Sequence, residues 1–206
     1  MKQYIITKLN KFDETKITLV GGKALGLWKF NHLNVPKWFV LTTEFFENMY
    51  AEEIELLNTL IINEDYKGIE QVIMLKDFTQ QAKNMILKNV KDDVKYSVRS
   101  SAIDEDSKNA SFAGMMASYL NIEKDSILTY IRKTYLSAYS KKAVEYRKNN
   151  KLSSINIKMA VIIQEMIDAD ASGVMFTINP VTNNPDEFVI SATPGLGHAL
   201  VSGEVN

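Results

Sequence analysis

Cysteine is absent from the 206 residues, so neither a disulfide nor a thiolate metal site is available, and the chain suits a reducing compartment such as the cytoplasm. Histidine occurs only as His32 and His198, which excludes a metal centre built from several imidazoles. An excess of one charge is missing too. With 24 basic and 25 acidic side chains the net charge is −1, so no global field draws nucleic acid or an anionic membrane. Anion binding must come from a local cluster. No apolar run approaches the ~20 residues that a membrane-spanning helix needs. The opening Met1-Lys-Gln-Tyr-Ile-Ile-Thr is too short, and too polar beyond Ile6, for a signal peptide. The expectation is a soluble cytoplasmic protein with no nucleic-acid or membrane partner.

A hydrophobic content of 46% with 24% charged residues belongs to an ordinary globular chain, long enough for one domain of two lobes or for two small domains. Period and turn chemistry predict a short strand at residues 4–7 and a second short apolar strand at 17–20 leading into Gly21-Gly22, so the order there is strand, Gly-Gly, helix. A helix of about three turns follows from Lys23. Val35-Pro36 precedes a buried strand at 38–41, and Thr42 or Thr43 caps one helix running from Glu44 to about Ile62. Residues 63–68 read as a polar linker. One or two more helices end near Val90, and a polar turn follows at 91–93. An apolar-flanked strand is expected to deliver Arg99 into its hydroxyl pair, and a second strand is expected at 118–122. A long helix capped by Asp125 or Ser126 then runs, with a break, to Arg147. Strands at 159–166, 173–177 and 188–192 close the order, the last two joined by the turn-rich Asn179-Pro-Val-Thr-Asn-Asn-Pro185. This is an α+β order, with soft lobe boundaries near 91–95 and 164–168.

Two stretches carry chemistry. Tyr96-Ser-Val-Arg-Ser-Ser-Ala102 delivers Arg99 into a hydroxyl pair, before an acidic turn and the small-residue run Ala110-Ser-Phe-Ala-Gly114. Arginine presents five N–H donors and stays charged, and Gly114 lets a ligand approach the backbone, so phosphate is a natural guest. An ion pair from Arg99 to Asp104 or Asp106 is the competing reading, because structural pairs outnumber sites. The second stretch, Gly21-Gly22-Lys23, sets a lysine on the first turn of a helix, where free N–H groups and the positive dipole end favour anions. It is not a Walker A loop: the first glycine of that motif is missing, and Ala24 stands where Ser or Thr belongs. A helix entry with a solvated lysine explains it equally well.

Taken together, Val20-Gly-Gly-Lys-Ala-Leu-Gly26, Phe39-Val-Leu-Thr-Thr43, Val98-Arg-Ser-Ser-Ala102, Ala110-Ser-Phe-Ala-Gly114, Gln164-Glu-Met-Ile167, Ala171-Ser-Gly-Val-Met-Phe-Thr177, Asn179-Pro180 and Gly195-Leu-Gly197 with Val201-Ser-Gly203 resemble one family, in its order and at similar spacing. It is the ATP-grasp domain of phosphoenolpyruvate synthase, pyruvate phosphate dikinase and rifampicin phosphotransferase. The resemblance implies an ATP-grasp-like α+β domain over 1–206, incomplete at its C-terminal end. It also implies a nucleotide whose phosphoryl group passes to a histidine on a separate swivelling domain, and a further substrate domain. Residue by residue, Lys23 and Arg99 would clamp the phosphates, and the Gly114 loop would cover them. Ser118 stands where the family often has a threonine near the phosphates. Gln164, with the backbone of Glu165, Met166 and Ile167, would meet adenine. Mg²⁺ is implied as well, with its protein ligands expected beyond residue 206.

Departures from the family pattern are Ser191 for a glutamate, Pro194 for an aromatic, His198 for a glutamate and Ile178 for a basic residue. Neither histidine sits in the family's phosphohistidine motif. Three expectations stand side by side: the ATP-binding N-terminal part of a phosphotransferase, inactive by itself; a stand-alone degenerate relative that binds nucleotide without catalysis; or a structural α+β domain with no ligand.

Overall fold

A computed structural model describes residues 4–6, 13–103, 106–107, 110–111, 116–198 and 200. The chain divides into two units, Met1–Met166 and Ile167–Asn206. The first runs β1 (Ile5–Ile6), α1 (Ile17–Lys29), β2 (Trp38–Leu41), α2 (Thr43–Met49), α3 (Ile54–Ile62), α4 (Tyr66–Leu75), α5 (Gln80–Leu87), β3 (Tyr96–Ala102), β4 (Asp106–Ser107), β5 (Ala110–Ser111), β6 (Ser118–Ile122), α6 (Ile127–Ala138), α7 (Lys141–Asn149) and β7 (Met159–Glu165). β8 (Ala171–Phe176) and β9 (Val189–Pro194) belong to the second. The protein is α+β. Among the described residues no helix is long and apolar enough to cross a membrane.

The first unit is organised by an antiparallel five-stranded sheet of order β1-β2-β7-β3-β6. Side chains alternate across a strand, so each central strand feeds two cores. Phe39, Leu41, Val98, Val161 and Ile163 join the larger one with the helices, where Phe46, Leu57, Ile69, Ile73, Ile131 and Tyr135 are buried. Val40, Ala160 and Ile162 point the other way and pack with Val20, Ala24 and Trp28 of α1. Double coverage is why β2 and most of β7 read as continuous apolar runs rather than alternating ones. Each fully buried Leu, Ile or Val contributes ~1.5–3 kcal/mol. The register of β3 on β6 shifts between Tyr96 and Val98, and Asn121 in this stretch takes φ 58°, as a bulge requires.

Several elements differ from the sequence expectation. Residues 17–20 are a helical turn, not a strand. A 3₁₀ turn over Glu14–Lys16, capped by Asp13, winds the chain into the helix, and Val20 packs on the sheet face with Val40, Ala160 and Ile162 rather than pairing at an edge. The helix expected over 44–62 is two. Thr42 caps α2, which stops at Tyr50, where the ring is wedged against Phe46 and Tyr135 and the hydroxyl donates to the Ile73 carbonyl. The polar linker at 63–68 already contains the start of α4, where Asp65 accepts from the Gly68 N–H. Ser126 makes no cap bond, and α6 is entered through a 3₁₀ turn at Lys124–Ser126.

In the second unit β8 and β9 form an antiparallel hairpin, Met175 opposite Ile190 and Phe176 opposite Val189. Asn179 holds the connecting turn by accepting from Val181 and Thr182. Both faces of the hairpin carry apolar side chains, and Met175, Phe176 and Ile190 are exposed at 59, 47 and 67%.

Candidate functional site

On β3, Ser97, Arg99 and Ser101 share one face, the face that carries α1. Register extends that row: Arg99 lies opposite Ile162 of β7 on one side and Ser118 of β6 on the other, and Ser97 lies opposite Gln164. Cross-strand partners point to the same side of a sheet, so Arg99, Ser118 and Gln164 stand on a common surface. The apolar cover by α1 spans Ile6, Trp38, Val40, Ala160 and Ile162 of β1, β2 and β7. Polar side chains take over on β3 and β6. Arg99 is half-buried and Ser118 exposed, and among the described residues Arg99 has no ion-pair partner. The alternative partners Asp104 and Asp106 have side chains outside the described residues, as does the whole of Gly114.

α1 reaches this face by an unusual route. Its helical path is interrupted at Gly21, with φ 75° and ψ 168°, a backbone region reserved for glycine. The helix restarts immediately, so Gly22, Lys23 and Ala24 form a fresh first turn. The buried Ala24 N–H donates to the Ser101 hydroxyl at 3.1 Å, a helix cap supplied from 77 residues away. The turn before the break is held as well, because Thr43 Oγ1 donates to the Thr18 carbonyl at 3.0 Å. The structure therefore brings the helix start carrying Lys23 onto the strand carrying Arg99. The sequence pattern showed the Gly-Gly-Lys start and the serine pair separately; the cap between them is visible only in three dimensions.

The end of β7 is pinned from both sides. The Gln164 side-chain amide reaches the Pro36 carbonyl at 3.5 Å, and its backbone carbonyl accepts from Ser97 Oγ at 3.4 Å. Glu165 N–H donates to Lys37 and Met166 N–H to Lys95, each at 2.8 Å, so both donors are committed to the sheet. The Glu165 carboxylate is 3.7 Å from Lys91 Nζ. Ile167 begins the second unit with its side chain 57% exposed. A separate depression of 340 Å³ is lined by Asp92, Asp93, Lys95, Glu123, Lys124 and Asp125. Carboxylates dominate it, which disfavours a phosphate there.

Half-buried cations beside a glycine-opened helix start, with a serine opposite, form a donor set suited to phosphate. Residues 17–206 match the family described as pyruvate phosphate dikinase, AMP/ATP-binding domain. The chain belongs to that family. Over 98% of its length it is 36% identical to a rifampicin phosphotransferase of Bacillus cereus and 32% identical to a probable phosphoenolpyruvate synthase of Methanocaldococcus jannaschii, covering 25% and 19% of those proteins. Over its whole length it is 31% identical to a phosphoenolpyruvate synthase of Aeropyrum pernix, covering 28% of it. The chain thus spans about a quarter of the length of these relatives. Of the family positions where this chain departs, Ser191, Pro194 and His198 are exposed within the second unit. Among the described residues no group of three or more carboxylates or imidazoles could hold a metal ion, so no Mg²⁺ ligand is assigned.

Proposed function

We propose that this chain is the ATP-binding portion of a phosphotransferase akin to phosphoenolpyruvate synthase and rifampicin phosphotransferase. The observation that carries this reading is the shared sheet face of Arg99, Ser118 and Gln164, joined to the helix start of Lys23 through Ser101. Lys23 supplies a point charge and Arg99 a planar fork, two geometries that together grip the phosphates of ATP. Ser118, opposite Arg99, adds a hydroxyl donor. Adenine lies along Gln164 to Ile167. The Gly114 loop covers the phosphates. The transferred phosphoryl group goes to a histidine on a separate domain, as the family resemblance implies, and Mg²⁺ is drawn from ligands outside the described residues. By itself this chain binds nucleotide without turnover, because phosphoryl transfer depends on positioning an acceptor and stabilising charge.

A second reading, a non-catalytic nucleotide-binding module, draws on the departures at Ser191, Pro194 and His198. Calorimetric titration with ATP and Mg²⁺ tests the shared core of both. Wild type is expected to bind, and Arg99→Ala to bind at least tenfold more weakly, since hydrogen bonds to charged groups are worth ~1.5–3 kcal/mol. Equal heats for the two proteins would sink the assignment. Phosphoryl transfer once the chain is joined to the rest of the family's ATP-grasp domain, with its Mg²⁺ ligands, and to a histidine domain separates the two readings.

A further inference from the structure

We infer that Ser101 is a positioning residue for the phosphate grip, setting the helix start of Lys23 against the strand of Arg99. The inference rests on the nucleotide reading above and deepens it. Lys23 and Arg99 come from segments far apart in the chain, and a triphosphate needs their relative placement held to within a fraction of an ångström. Two contacts supply that placement, and both are made by Ser101. Its hydroxyl, wholly buried, accepts from the Ala24 N–H at 3.1 Å. Its carbonyl and hydroxyl lie against Gly21, where an added Cβ would stand 2.2 Å from the carbonyl oxygen and 2.5 Å from Oγ.

Lys23 lies between these two anchor points, Gly21 and Ala24. Arg99 lies one side-chain repeat before Ser101 on the same strand face, ~7 Å along it. A single residue thus references the lysine helix to the arginine strand. The cap also orients the first turn: with the Ala24 N–H spent on Ser101, the dipole end is fixed to the sheet rather than left to find its own direction. Apolar packing of Val20, Ala24 and Trp28 holds α1 on the sheet but does not specify its rotation as a directional hydrogen bond does.

The test compares two ligands on the 206-residue chain. ATP needs the cation grip and adenosine does not. Ser101→Ala is expected to weaken ATP about fivefold, the scale of a lost helix cap, and to leave adenosine affinity unchanged. In a Lys23→Ala background the same substitution is expected to cost ATP almost nothing, because the helix start then has no side-chain charge to position. Circular dichroism reports folding. Should Ser101→Ala not fold, Ser101→Thr, which keeps the hydroxyl acceptor, and Ser101→Cys, which keeps the side-chain shape at slightly larger size and weakens the acceptor, take the same titrations. Equal losses for ATP and adenosine, an undiminished loss in the Lys23→Ala background, or no loss at all would each overturn the inference while leaving the nucleotide reading in place. Failure of wild type to bind ATP would overturn both.

Discussion

Gly21 and Ser101 meet backbone to backbone: a Cβ on Gly21 would sit 2.2 Å from the Ser101 carbonyl oxygen, at a φ of 75° that side-chain-bearing residues rarely adopt. Gly21→Ala therefore combines a steric clash with a strained backbone. The strain alone costs ~1–3 kcal/mol. The expected outcome is a urea midpoint well below wild type, with ATP binding lost; an unmoved midpoint would refute the glycine requirement.

Gly26 is the opposite case in the same helix. Nothing lies within 4 Å of a Cβ added there. Gly26→Ala is expected to stabilise the fold by ~0.5–1 kcal/mol through helix propensity, read as a raised Tm with unchanged ATP affinity.

Arg99→Lys keeps the charge and removes the fork. If the guanidinium engages two phosphate oxygens, the variant weakens ATP about tenfold, roughly the loss of one charge-assisted hydrogen bond, while Tm stays near wild type. Affinity equal to wild type would show that charge alone suffices.

Three phenols of the helices, Tyr50, Tyr135 and Tyr139, lie buried in the larger core and are raised above the ordinary tyrosine range by burial. Their contribution is fully present below the unfolded value of ~10 and falls as pH rises past it, because only the unfolded chain then sheds these protons. Stability is expected to decline steeply above about pH 10. The three hydroxyls are not equivalent. Tyr50 donates to the Ile73 carbonyl at 3.2 Å, whereas the Tyr135 hydroxyl has no partner among the described residues. Tyr50→Phe should cost ~1 kcal/mol, and Tyr135→Phe should gain about as much; denaturant curves at pH 7 decide the sign.

The hairpin of the second unit exposes apolar residues on both faces, and a two-stranded ribbon is marginal without a covering layer. Its open edges invite strand pairing between molecules. The weight-average mass of the 206-residue chain, measured by light scattering, is expected to rise with concentration. The pair Met175→Thr with Ile190→Lys, cross-strand neighbours, is expected to suppress that rise.

How much was legible differs from residue to residue. β2 and β6 were read to the residue, because a run such as Trp38-Phe-Val-Leu41 has few other uses once Pro36 has broken the preceding helix. The break after α2 was not. Ala51, Glu52 and Glu53 carry no helix-breaking chemistry and the apolar period continues across them; the helix ends at Tyr50, whose ring packs against Phe46 and, from distant sequence, Tyr135. The turn at 17–20 was misread for a related reason. An apolar, partly β-branched run suits a strand by local pattern, but the same residues serve a helix whose Val20 is buried against Val40, Ala160 and Ile162 on the sheet face.

For the site, the residue types were written in the sequence: Gly-Gly-Lys, the Arg-Ser-Ser run and the glutamine before the unit boundary identify a family and its ligand class, since donors and their spacing survive without coordinates. Arg99, with a nearby acidic turn as its alternative partner, stayed ambiguous at that level. Only the tertiary structure decided that Arg99, Ser118 and Gln164 share a face, because sharing depends on the register between strands distant in the chain. Only it showed that Ser101 caps the Lys23 helix, a contact across 77 residues that no local periodicity encodes. Local pattern governs which groups are available; long-range pairing governs which of them meet.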